Sequence, residues 1–210
     1  MATTTWPPWT LLLVLGSSGV GKTLAAQQLG LRLGLPWLQV DDLRLALQRS
    51  RATLPATDGT AALYFFLDKP KVWQQQPERL RDALIAVAMV LSSAIEVVIE
   101  NHVATAAPLI LEGDGIVPSL LVRPPVREHV ASGRVRAVCL VEPDEAALFA
   151  DMAARGRGFT EWSPSEQRTQ ARAAWLYGHW LATEARRHGL PVLEPRPWET
   201  LVERIARACH

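Results

Sequence analysis

"LLLVLGSSGVGKT", residues 11–23, decides how this chain is read. Leu11 to Leu15 form an uninterrupted apolar run, the pattern of a short strand buried on both faces. The next eight residues, Gly16, Ser17, Ser18, Gly19, Val20, Gly21, Lys22 and Thr23, follow the spacing G-x-x-x-x-G-K-[ST]. From Lys22 onward "KTLAAQQLGLRLG" reads as a helix, with Gly34 and Pro36 as its C-terminal punctuation. A strand, a glycine-rich turn and a helix in that order have a chemical reason. Glycines let backbone N–H groups turn inward toward phosphate oxygens, and the helix N-terminus adds partial positive charge at the same point. In such a cradle Lys22 reaches the β- and γ-phosphates of a bound triphosphate, and the Thr23 hydroxyl is placed to ligate Mg²⁺.

The rest of the chain bounds what can surround that cradle. Its 210 residues suffice for one sizeable α/β core, so 1–210 is read as a single domain. Lys plus Arg number 22 against 21 Asp plus Glu, a balance that gives no support for a nucleic-acid or membrane-surface partner. The two cysteines, Cys139 in "VRAVCLV" and Cys209 near the C-terminus, form neither a disulfide framework nor a metal spacing. The first is expected in the core and the second at a frayed end. "MATTTWPPWT" lacks the basic region of a signal peptide, and Ser92, Ser93 and Glu96 interrupt the apolar stretch 83–100. A buried helix and a cytoplasmic location are the expectation.

Strand-like runs recur at Leu11 to Leu15, Trp37 to Val40, Leu109 to Glu112, Val135 to Val141 and Pro191 to Leu193, with helical patterns between them. This alternation predicts a five-stranded parallel sheet covered by helices on both faces, with the ligand at the C-terminal strand edge. Residues 51–108 exceed a simple crossover and are read as a helical insertion above that edge. Within it Leu80, Leu84, Val87, Leu91, Ala94 and Val98 mark one face of a long helix, which serves either as a wall of the acceptor site or as packing.

Carboxylates stand at two strand ends, where an acceptor would have to be oriented or deprotonated. Asp41 and Asp42 follow the second strand, and Glu112 and Asp114 follow the third. Asp42 is alternatively the N-cap of a helix starting "LRLALQ", and Asp114 between Gly113 and Gly115 is alternatively turn chemistry. Arg155 and Arg157 enter a Gly-containing loop, 155–163, read either as a lid whose cations close over phosphate or as a solvated helix end. After it, Ser163, Pro164 and Glu166 form a helix start with a capping box. Along that helix Arg168, Arg172, Trp175 and His179 share one face. The two arginines at its N-terminal end are read either as phosphate contacts or as solvated charges. Among eight tryptophans, Trp198 precedes the last helix and is a candidate neighbour of a bound base.

In the order of its motifs the chain resembles the P-loop kinases of the adenylate-kinase-like group, and most closely the 2-phosphoglycerate kinase family. The resemblance is carried by "GSSGVGKT", by "DDLR" after the second strand, by "LILEGDGIVPSLL" after the long helix, by the Arg-bearing lid, and by "PVLEPRPWETLVERI". Its narrower part is the E-G-x-x-x-V-P run of Glu112, Gly113, Val117 and Pro118. The chain departs from the family pattern at Val40, where Thr is usual, and at Asp114 and Gly115, which replace a Val-His pair. The resemblance implies a P-loop NTPase-type three-layer α/β fold and the use of ATP and Mg²⁺ to phosphorylate a small hydroxylated acceptor. It assigns phosphate and metal handling to Lys22 and Thr23, the acceptor side to Asp41 and Arg44, and the lid to Arg155 and Arg157. Glu112 joins Thr23 as a candidate metal ligand, and Asp42 and Asp114 join the acceptor side. The other reading of the chain is a nucleotide-binding regulator without phosphotransfer. Whether the protein acts as a monomer or a homodimer is left open by the sequence.

Overall fold

A computed structural model describes residues 8–50, 58–68, 71–156 and 158–209. The strands are β1 (Leu11–Gly16), β2 (Trp37–Gln39), β3 (Leu109–Gly113), β4 (Val135–Leu140) and β5 (Val192–Leu193). The helices are α1 (Lys22–Leu33), α2 (Val40–Arg49), α3 (Asp58–Leu63), α4 (Phe65–Asp68), α5 (Pro77–Ala104), α6 (Pro124–Ala131), α7 (Glu145–Arg155), α8 (Pro164–Arg187) and α9 (Leu201–Ala208). All strand pairs are parallel, in the order β2-β3-β1-β4-β5.

Side chains alternate across a strand, so β1 supplies both faces of the core. Leu11, Leu13 and Leu15 join Val87, Leu91, Ile95 and Ile99 of α5 and Leu181 of α8 on one face. Leu12 and Val14 join Ala25 and Leu29 of α1, Leu148 of α7 and Ile205 of α9 on the other. The result is a helix–sheet–helix sandwich with the glycine-rich turn between β1 and α1, the P-loop NTPase-type three-layer fold. Because α1 follows β1 on one face and α6 follows β3 on the other, a crevice opens at the C-terminal strand edge beside β1, where the strand order reverses.

Several local expectations are altered by packing. Strand β2 ends at Gln39, and Val40 begins α2 with its side chain buried. The α5 stripe turns from Ala94 and Val98 to Ile95, Ile99 and Val103, which are buried. By length and composition α5 is apolar enough to cross a membrane, yet it lines the core as the crossover into β3. The part of 51–108 expected above the sheet edge is thus in large measure a layer of the sandwich; residues 51–57 and 69–70 lie outside the described residues. Cys209, expected at a frayed end, packs in the core with 2 % exposure, and burial pushes its thiol up to about 12. At the start of α8 the capping box forms: Glu166 N–H donates to Ser163 Oγ and Ser163 N–H to Glu166 Oε2.

Candidate active site

The site grows from the turn after β1. Gly21, the residue before α1, has φ 78°, a left-handed conformation that glycine adopts without strain. A Cβ there would lie 2.2 Å from the Trp198 ring, so the glycine also allows the indole to close on the loop. On the opposite side α8 passes close enough that a Cβ on Gly178 would meet Ser17 Oγ at 2.8 Å. Lys22 is 7 % exposed, and its ammonium donates to the Ser17 carbonyl at 2.8 Å, which holds the charge over the loop.

Parallel registry carries the next residues in. Val14 pairs with Glu112 and Gln39 pairs with Glu112, so the ends of β2 and β3 stand beside the loop. Thr23 Oγ1 donates to Glu112 Oε1 at 2.8 Å. Burial raises the Glu112 carboxyl pKa, while Lys22 and the Thr23 hydroxyl pull it back. Asp114, just beyond β3, has its pKa raised by enclosure and by Asp41, against the pull of Lys22, Arg44 and Arg155. Its backbone is pinned from α8, where the buried Tyr177 hydroxyl donates to the Asp114 carbonyl at 2.5 Å.

Two cavities meet here. The larger, about 480 Å³, runs from the loop residues Gly19, Gly21, Lys22 and Thr23 past Leu24 and Gln27 to Asp151, Ala154, Arg155 and Trp198. The smaller, about 30 Å³, is lined by Ser18, Lys22, Thr23, Gln39, Asp41, Glu112, Gly113, Asp114 and Arg155. Lys22, Thr23 and Arg155 belong to both. Of the two, only the larger has room and an aromatic wall for a group the size of a nucleoside.

The structure therefore brings together the loop residues Gly16 to Thr23 with Asp41, Glu112, Asp114 and Arg155. It separates others from them. Asp42 is exposed in the first turn of α2, neither cap nor cleft residue, because the helix starts three residues earlier than its sequence suggests. Arg44 pairs with Asp41 at 2.8 Å across one helical turn and also draws on the Asp114 carboxyl. Arg168 and Arg172 do not line either cavity. Arg172 is paired with Glu145 and lies 4.7 Å from the Trp175 ring centroid, while Arg168 is exposed. The reason is rotational: α8 presents Ala171, Ala174 and Gly178 to the interior, which puts the Arg168–Arg172 face outward. Arg157 lies outside the described residues. The segment after it is anchored, since Phe159 is buried with its ring centroid 5.7 Å from that of Phe149.

Several site residues had no sequence signal. Gln39 faces the cleft because a parallel pair sets it beside Glu112. Arg196 bonds Asp151 of α7 through two oxygens, at 2.9 and 2.8 Å, and pairs with the buried Glu142 at the end of β4. It also stands 5.6 Å from the Trp198 ring, tying the loop before α9 to the helix that carries Arg155. Its partners are 45 and 54 positions away in sequence.

No family model matches the chain, and no curated protein does. Among solved structures, a gluconokinase from Sinorhizobium meliloti 1021 aligns over 97 % of this chain and 92 % of its own, with 17 % identity and a TM-score of 0.45. A shikimate kinase from Acinetobacter baumannii, solved with shikimate, aligns over 96 % and 91 %, with 16 % identity and a TM-score of 0.48. At these levels neither supplies residue correspondences, and the narrower likeness to 2-phosphoglycerate kinases gains no support from them.

Proposed function

We propose that this protein is an ATP-dependent kinase that phosphorylates a hydroxyl of a small molecule. The observation that carries the reading is the sharing of Lys22, Thr23 and Arg155 by the two cavities, because a phosphoryl group must pass between its donor and acceptor at one point. The loop N–H groups and Lys22 would hold the triphosphate, with the base between Trp198 and the Leu24 side of α1. Asp41 would orient the acceptor hydroxyl and receive its proton, and Arg44 holds that carboxylate in place. Arg155 would face the charge that develops on the transferring group.

The residues present fit Mg²⁺. Among the described residues no three His, Cys, Asp or Glu side chains cluster as a closed metal cage. Mg²⁺ takes few protein ligands and completes its shell with phosphate oxygens and water, which suits a site offering the Thr23 hydroxyl and the neighbouring Glu112 carboxylate. Bound there, Mg²⁺ would neutralise phosphate charge. Thr23 and Glu112 would hold it, and Lys22 offsets the remaining charge from the other side.

The reading also implies a small-molecule partner and a cytoplasmic site of action, where ATP is supplied. It is tested by coupled ADP release with Mg·ATP and a panel of hydroxylated acceptors. Acceptor-dependent release that disappears in Lys22→Ala is expected. ATP binding without any acceptor-dependent release would favour a nucleotide-binding regulator instead.

A further inference from the structure

Among the described residues the larger cavity has one carboxylate in its wall, Asp151 of α7, which shares that wall with Gly19, Gly21 and Lys22 of the phosphate loop. A bare carboxylate there would repel a triphosphate held by the same loop. Arg196, which does not line the cavity, meets it: Nη2 of its guanidinium donates to both Asp151 oxygens, at 2.9 and 2.8 Å. Its Nη1 pairs with Glu142 just beyond β4, a carboxylate only 6 % exposed, so the guanidinium is fixed at both ends. The loop that carries Arg196 has a separate anchor. Arg204 of α9 donates to the carbonyls of Glu194 at 2.6 Å, Pro195 at 2.9 Å and Pro197 at 3.0 Å, and the Trp198 indole rests on Gly21. Holding the loop is therefore not left to Arg196. Nor does its pair with Asp151 add much to stability, because the two side chains are 41 % and 23 % exposed and solvent screens them. What Arg196 changes is the charge that the cavity presents.

We propose that Arg196 is a positioning residue for the nucleotide that acts through Asp151: it holds that carboxylate in an ion pair and so keeps its charge from the triphosphate. The inference rests on the nucleotide-binding part of the phosphotransfer reading above. With residue 196 uncharged, the Asp151 carboxylate stands in the cavity wall uncompensated, and affinity for a polyanion falls while Arg204 keeps the loop in place. The effect is Coulombic, so it weakens as salt rises. A purely structural role for Arg196 has no such salt dependence, and it is not cured by removing the charge of Asp151.

The test uses the full chain and calorimetric binding of a non-hydrolysable ATP analogue with Mg²⁺. Arg196→Gln, which keeps a hydrogen-bond donor and removes the charge, should weaken binding by ~10-fold at low salt and by clearly less at about 0.5 M salt. Arg196→Lys, which keeps the charge, should stay within about threefold of the parent. Asp151→Asn alone should leave affinity unchanged or tighter, and combined with Arg196→Gln it should return most of the loss. A loss of ~10-fold in Asp151→Asn alone would give Asp151 a direct part in binding and overturns the inference, whether or not Arg196→Gln folds. Parent-level affinity in Arg196→Gln overturns it too. So does a loss that Asp151→Asn does not recover, or one of equal size at both salt concentrations, since either marks loop structure or a direct contact. No analogue binding by the parent overturns the nucleotide reading and the inference with it. Analogue binding with no ADP release from the acceptor panel overturns phosphotransfer alone.

Discussion

The two cavities that meet at Lys22 are built on different principles. The nucleotide side consists of backbone, apolar and aromatic surface: Gly19, Gly21, Leu24, Ala154 and Trp198, with Asp151 already neutralised by Arg196. The smaller cavity is a narrow cleft with three carboxylates, Asp41, Glu112 and Asp114, beside Lys22 and Arg155, with Arg44 paired to Asp41. In the proposed kinase a triphosphate would be met by backbone dipoles, Lys22 and Arg155, and the acceptor by the carboxylate-lined cleft. The difference lies in the carboxylates, which gather in the smaller cavity around the same Lys22 and Arg155.

The largest test of this asymmetry removes its pivot. Lys22→Ala should lower phosphotransfer by about 10³-fold with an intact circular dichroism spectrum, since the side chain serves both cavities. An activity within threefold of the parent would break the scheme. Next, Asp41→Asn should lower kcat by about 10²-fold or more while the nucleotide Kd stays nearly constant, confining its effect to the acceptor side. Equal losses in kcat and nucleotide affinity would move Asp41 to a metal-binding or structural role. On the other side, Trp198→Ala should weaken nucleotide binding by roughly 10-fold, the scale of one lost base stack, and leave acceptor KM unchanged. A titration with ATP and then with acceptor separates the two.

The smallest effect concerns stability. Enclosure raises the folded-state pKa of Asp114 above its ordinary 3.8, so folding favours its protonated form. The parent should therefore gain stability relative to Asp114→Asn as pH falls through the folded-state pKa toward 3.8, and lose that advantage as pH rises. Melting curves from neutral to acidic pH would show it, at roughly 2–4 °C of Tm per kcal/mol for a chain of this length. The opposite slope would mean that Asp114 is stabilised as a carboxylate by its neighbours Lys22, Arg44 and Arg155.

What could be read along the chain divides by distance. The phosphate loop, the five strands and the capped start of α8 depend on neighbours within a few residues. Dihedral freedom, side-chain alternation and capping act at that range, so "LLLVLGSSGVGKT" and "SPSE" carried them unaided. The direction faced by Arg168 and Arg172 was decided otherwise. Their spacing places them on one helix face, but the rotation of α8 depends on which small residues pack against Ser17 and the core. Gln39 and Arg196 are also products of the assembled fold, one placed by pairing of β2 with β3, the other by contacts with Asp151 and Glu142. Sequence alone thus determined the layered sheet and a glycine-rich cradle at one strand end, because both are written in local pattern. Which charges face the cradle, and which neutralise each other elsewhere, only the tertiary structure decided, because side chains far apart in the chain become neighbours only when the sheet and its two helical layers close.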